Sequence, residues 1–158
     1  MNYIIFCKSE DVIGIEVSIN ELDEVLKIYN ARPIIICNNY EFVIETYNTF
    51  KVISVGIELS NKLSKYEFNK RNPRILNELD ELLINNSGKY LIIKDIDILF
   101  NPNYKFDVLK YFCNLARIKQ VMELWNGDVS NGILKYSESG YLDYKKYIIK
   151  NYDIICVK

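Results

Sequence analysis

The stretch Tyr90-Leu91-Ile92-Ile93-Lys94-Asp95-Ile96-Asp97-Ile98-Leu99-Phe100 is an apolar, β-branched run that delivers two carboxylates, Asp95 and Asp97, at its end. A short run of this kind is the pattern of a parallel strand covered on both faces. Ligands in open α/β sheets bind outside the carboxyl ends of such strands. Carboxylates placed there hold Mg²⁺ and polarise the attacking water in nucleotide hydrolases. A plainer reading stands beside it: buried strands must end in polar residues, and both acids are then ordinary solvated side chains.

Working outward, strands and helices alternate. Pro33-Ile34-Ile35-Ile36-Cys37 is a second uniformly apolar run, read as a central strand. Before it, Ser18-x-x-Glu21 is a capping-box pattern, and Leu22, Val25, Leu26 and Tyr29 follow at helical spacing, giving a helix over about 19–30. After it, Tyr40, Val43, Ile44 and Tyr47 stripe a helix over about 39–48, with Asn38 or Asn39 as its cap. Lys51 to Val55 reads as the next strand, and Gly56 turns the chain into a short helix carrying Leu59 and Leu63. Asn72-Pro73 marks a helix start, with Ile75, Leu76, Leu79, Leu82 and Leu83 as its buried stripe and Gly88 at its end.

Beyond Asp97, Val108, Leu109, Phe112, Leu115 and Ala116 stripe a further helix ending near Arg117. Ile118 to Trp125 is a strand, closed by Asn126-Gly127. Short β segments follow at 132–137, 144–149 and 152–157, with Asn131-Gly132 as a hairpin turn. Residues 3–7 and 12–17 suggest an N-terminal hairpin within 1–18. The expected architecture is α/β: one domain over 1–158, a three-layer parallel sheet, and a C-terminal β addition over 127–158.

A working nucleotide site needs more than acids. The phosphate loop, Gly-x-x-x-x-Gly-Lys-Ser/Thr, follows an earlier strand and cradles the anion in main-chain amides. After Cys37 this chain runs Asn38, Asn39, Tyr40, Glu41, Phe42, Val43, and no glycine, lysine or serine occurs before Thr46. Tyr40, Phe42 and Val43 are expected to fill the phosphate ground, and Glu41 and Glu45 to repel nucleotide. A single charge-assisted contact contributes about 1.5–3 kcal/mol, so losing the lysine and the amide nest together removes most of the affinity.

Composition narrows the chemistry further. Of 158 residues, 49% are hydrophobic and 26% charged, which fits a globular chain. Histidine is absent, which excludes Ser-His-Asp triads, Cys-His dyads, histidine-ligated zinc and histidine general bases. The four cysteines, Cys7, Cys37, Cys113 and Cys156, are scattered without a Cys-x-x-Cys pair, so neither zinc site nor disulfide frame is indicated. The formal charge of −1 draws the whole protein to neither DNA nor anionic lipid. No apolar run reaches the roughly 20 residues of a membrane span, and the N-terminus lacks a secretory signal pattern, so a cytoplasmic location is expected.

Several motifs resemble the small P-loop protein of the BREX phage-defence systems (BrxF-like). They are Asp95-Ile-Asp-Ile-Leu-Phe-Asn-Pro102, Leu115-Ala-Arg117, Leu124-Trp-Asn-Gly127, Gly132-Ile-Leu-Lys-Tyr136 and Gly140-Tyr-Leu-Asp-Tyr144, preceded by Ser54-Val-Gly-Ile-Glu-Leu-Ser60 and Leu63. The resemblance spans residues 33–157. It implies a P-loop NTPase fold and a place beside larger antiviral defence components, including a DNA methyltransferase and a large ATPase. By the same resemblance Asp95 is the metal-side acid, Asp97 the following acid, Asn126 a sensor-like residue and Arg117 a basic residue before the last core strand. At Cys37 to Val43 the sequence departs from the family, so nucleotide binding does not carry over.

The expectation is therefore a non-catalytic pseudo-ATPase subunit, with no cofactor and with phage-defence partners. Its rivals are an ATPase that binds Mg-ATP weakly or is completed by a partner, and a small nucleic-acid-binding accessory. The last would use the tail Tyr141–Tyr152, where tyrosines alternate with Lys145, Lys146 and Lys150. The plainer view of that tail is an edge strand guarded by lysines. Lys62, Lys65, Lys70, Arg71 and Arg74 form a second basic cluster, read as a solvated helical junction, and Trp125 is read as a packing residue.

Overall fold

The structure is a computed structural model that describes residues 13–85 and 88–158. In chain order, β1 (Ile15–Val17) leads through a 3₁₀ turn into α1 (Leu22–Ile28). The capping box forms there: the Ser18 amide donates to Glu21 Oε2 at 2.8 Å, and the Asn20 amide to Ser18 Oγ at 3.3 Å. Next come β2 (Ile34–Ile36), α2 (Tyr40–Thr46), β3 (Lys51–Ser54) and α3 (Val55–Leu63). A stepped helical passage follows: α4 (Phe68–Arg71), a 3₁₀ turn over Asn72–Arg74, α5 (Ile75–Asp80) and a π turn over Glu81–Asn85. The chain then forms β4 (Tyr90–Lys94), a 3₁₀ turn (Ile96–Phe100), α6 (Val108–Leu115) and β5 (Gln120–Leu124). It finishes with β6 (Gly127–Ser130), β7 (Ile133–Tyr136), β8 (Lys145–Ile148) and β9 (Ile155–Val157).

Six strands make one sheet in the order β1-β9-β2-β5-β4-β3, and every pairing is parallel. Alternation along each strand sorts the side chains into two layers. Ile34, Ile36, Met122, Leu124, Ile155 and Val157 pack under α1 and α2 through Leu22, Val25 and Val43. Ile35, Ile93, Val121 and Cys156 face the other way, against Leu59 of α3, Leu79 of α5 and Phe112 of α6. Helices thus cover both faces, the three-layer α/β arrangement expected of buried, β-branched strands.

The C-terminal segment divides. β6, β7 and β8 form a separate antiparallel sheet. Its first hairpin turns at Asn131 (φ 51°) and Gly132 (φ 73°), the positive-φ pair that a two-residue turn needs. The strand expected over 152–157 leaves this addition and enters the main sheet between β1 and β2. The segment read as half of an N-terminal hairpin behaves likewise: Ile15–Val17 pairs parallel with β9, while residues 1–12 lie outside the described ones. Asn72-Pro73 does not start its helix, because Asn72 Oδ1 accepts from the Lys105 amide at 3.2 Å and the helical passage begins at Phe68.

No helix among the described residues is long and apolar enough to cross a membrane. Trp125 is fully buried where the two sheets meet. Its ring stands edge-on to Phe100, Tyr136 and Tyr147, and its Nε1 donates to the Lys135 carbonyl at 2.8 Å.

Candidate functional site

A parallel sheet collects the ends of its strands at one pole, so the residues leaving β2, β4 and β5 meet there. Asp95 leaves β4 in the left-handed region (φ 56°, ψ 47°) and stays exposed. Ser54, the last residue of the neighbouring β3, donates its hydroxyl to Asp95 Oδ2 at 2.5 Å, and Lys94 Nζ stands 4.0 Å from the same oxygen. Gly56 lies directly under this bend: a Cβ there would stand 2.8 Å from the Asp95 carbonyl oxygen. Glycine is what lets the acid turn pass over the start of α3.

Asp97 sits in the 3₁₀ turn that follows. Its Oδ1 accepts from Asn126 Nδ2 at 3.2 Å and from the hydroxyl of buried Tyr136 in a short hydrogen bond. Burial, and then the bond to Asp97, hold the Tyr136 phenol above its ordinary range. Asp97 is thus engaged by one donor from the segment that leaves β5 and one from the second sheet.

Asp95, Asp97 and Asn126 share a cleft of about 270 Å³ with Tyr40, Ile44 and Leu124. Tyr40 also walls a second cleft of about 510 Å³, which runs past Asn126 and Asp128 to Lys135, Glu138 and Tyr141. The Tyr40 hydroxyl donates to the Trp125 carbonyl and lies 3.3 Å from the Cys37 carbonyl. Burial, then the neighbouring Cys37 and Asp97, raise its phenol above the usual range.

The connection from β2 to α2 is short. β2 ends at Ile36 and α2 begins at Tyr40, leaving Cys37, Asn38 and Asn39 between them. A phosphate loop spans about eight residues between strand and helix. The three-residue connection here is too short for such a loop and contains neither glycine nor lysine. The expected filling by three bulky residues is accordingly corrected. Of those three residues only Tyr40 lines the cleft at the strand ends; Phe42 is 52% exposed, and Val43 is buried in the layer below the sheet. Asn39 adopts φ 57° and makes no side-chain cap, and Asn38 Oδ1 accepts from Asn39 Nδ2 at 2.7 Å. Burial pushes the Cys37 thiol up to about 12, with Asp128 and Glu16 adding to it.

Among the described residues, no group of three or more cysteine, aspartate or glutamate side chains could hold an ion. Arg117 falls away from the site. It lies between the end of α6 and the start of β5 and lines a cleft with Tyr90 and Gln120, the first residues of β4 and β5. A residue that precedes a parallel strand lies at that strand's amino end, the pole opposite the acids.

Sequence reading missed Ser54 and Tyr136, and it missed Glu123. Glu123 is 0% exposed on β5 between Ile35 and Ile93, and neither of its oxygens has a hydrogen-bond partner among the described residues. Burial drives its carboxyl well above the ordinary range. The signal was present as a lone charge in the apolar run Val121 to Trp125.

The tail and the second basic cluster take their plainer readings. Lys145 and Lys146 are exposed on the edge strand β8, while Tyr147 packs on Trp125 and Tyr152. Lys62 pairs with Glu78 at 3.7 Å, Lys70 with Glu67 at 3.2 Å, and Arg74 lies over the Tyr66 ring.

No family model matches the chain, and neither a curated protein nor a solved structure matches it.

Proposed function

We propose that this protein is a non-catalytic, P-loop-derived subunit: a nucleotide-free α/β module that serves as an adaptor in a bacterial phage-defence assembly of BREX type. The observation that carries the first half is the three-residue connection Cys37–Asn39, closed over by Tyr40. An anion needs several converging amides and a cation, and this connection offers space for neither. Descent from a P-loop enzyme is supported by the sheet order, in which β5, which leads into Asn126, lies between β2 and the acid-bearing β4. The assembly itself rests on the sequence resemblance, which names a large ATPase and a DNA methyltransferase as partners.

The rival in which a partner completes an ATPase fares worse. A donated lysine or arginine would supply charge but not the missing amide nest. The hydrogen bonds of Asp95 to Ser54 and of Asp97 to Asn126 and Tyr136 already engage the two acids.

Co-expression with the large ATPase and the methyltransferase of such a system, followed by affinity purification, tests the adaptor role. Stoichiometric recovery of either component supports it. Recovery of neither, with the protein folded and soluble, removes the assembly half of the proposal.

A further inference from the structure

The opposite pole carries a different chemistry. Residues that precede parallel strands collect there, and in this chain several are cationic: Lys89 before β4, and Arg117 and Lys119 before β5. Lys27, in the last turn of α1, joins them. Together with Tyr90 and Gln120 they line a cleft of about 430 Å³, and no carboxylate among the described residues lines it. In a chain of formal charge −1, that is a local concentration of positive charge.

The cleft is held in shape from within. Gln120 Nε2 donates to the Leu26 carbonyl at 2.9 Å and ties the end of α1 to β5. The Lys119 ammonium donates to the carbonyls of Leu83 and Ile84 at 2.7 and 2.8 Å, which fixes its charge at the wall. Lys27, Lys89 and Arg117 are exposed and form no ion pair with a described carboxylate. The Tyr90 ring is 50% exposed and rests on Phe50 at 5.5 Å between centroids, so one aromatic surface is supported and open.

We propose that this cleft binds a single strand of nucleic acid, its phosphates on Lys27, Lys89 and Arg117 and a base on Tyr90. Cations tracking a backbone, with an aromatic ring to stack on, are the physical requirements of single-strand binding. A duplex keeps its base faces stacked inside and leaves Tyr90 without a partner. The Tyr/Lys tail meets the requirement less well, because Tyr147 is committed to Trp125 and Tyr152, and Lys146 lies over the Tyr144 ring. This site is independent of the adaptor role and of the acid cleft.

Fluorescence anisotropy with a labelled oligothymidylate of about 12 nucleotides, titrated across salt, tests it. Wild-type protein is expected to bind at low salt and to weaken steeply as salt rises. Combined Lys27→Ala, Lys89→Ala and Arg117→Ala should reduce affinity more than tenfold and flatten the logarithmic salt slope by about two. Tyr90→Ala should weaken binding about tenfold while Tyr90→Phe retains it, and Lys145→Ala with Lys146→Ala should change nothing. Melting curves confirm that each variant remains folded. Absence of binding at low salt, an equal loss from the tail variant, or complete competition by equimolar pyrophosphate would each overturn the proposal, the last by revealing a site for a small anion only.

Discussion

The Tyr40 hydroxyl donates to the main-chain carbonyl of Trp125, linking the first residue of α2 to the residue that leaves β5. In a nucleotide-binding sheet of this order the gap between those two points is where phosphates rest. Here one phenol bridges it, and the short connection below leaves no loop to swing aside.

Tyr40→Phe removes the hydroxyl while keeping the ring. The Trp125 carbonyl retains the Gly127 amide at 3.1 Å, so the expected loss is one hydrogen bond, about 0.5–1.5 kcal/mol in urea unfolding. Tyr40→Ala should join the two adjoining clefts, yet confer no nucleotide binding, because the amide nest is still missing.

Gly56→Ala should be worse than its size suggests. The new methyl would meet the Asp95 carbonyl oxygen at 2.8 Å and its Cβ at 3.1 Å, and main-chain atoms cannot step aside. A destabilisation of about 1–3 kcal/mol is expected, measured by chemical unfolding. Gly88→Ala, where a Cβ meets nothing within 4 Å, is the matched control and should lie near zero.

Tyr136→Phe takes from Asp97 its buried donor and leaves it Asn126 alone. The bond is charge-assisted but its acceptor is exposed, so about 1–2 kcal/mol is expected from thermal or urea melts. Asp97→Asn should perturb less, since an amide oxygen still accepts from the phenol.

Glu123 makes stability depend on pH in a defined direction. Its folded carboxyl titrates above the unfolded one, whose pKa is about 4.3. Below that value both states hold the proton and the residue contributes no slope. Above it the unfolded chain releases a proton that the core retains, so stability falls as pH rises towards the folded value. Glu123→Leu should therefore raise the melting temperature at pH 8, with the gain shrinking as pH is lowered towards 4.5. A variant less stable than wild type at pH 8 would contradict this account of the buried acid.

Much of the sheet was legible because its strands are uniformly apolar and its helices carry clear stripes. β2, β4 and β5 lie where the runs of isoleucine, leucine and valine put them, and Asp95, Asp97 and Asn126 converge as their strand-end positions require. β9 was not placed because a three-residue apolar strand carries no mark of which sheet it joins, and its partners β1 and β2 are far away in sequence. Arg117 stands before β5, as the family likeness had it, and the rule that residues before a parallel strand sit at its amino end places it at the pole opposite the acids. Ser54 and Tyr136 act through contacts 41 and 39 residues away along the chain, which no local pattern encodes.

The most direct test of the proposal that this module binds no nucleotide is a calorimetric titration of Mg-ATP into the purified protein, with thermal melting in parallel. The account requires no binding heat and no change in melting temperature up to millimolar nucleotide. Saturable binding, with the stabilisation of about 2.7 kcal/mol that a ligand at one hundred times its Kd brings, would contradict it.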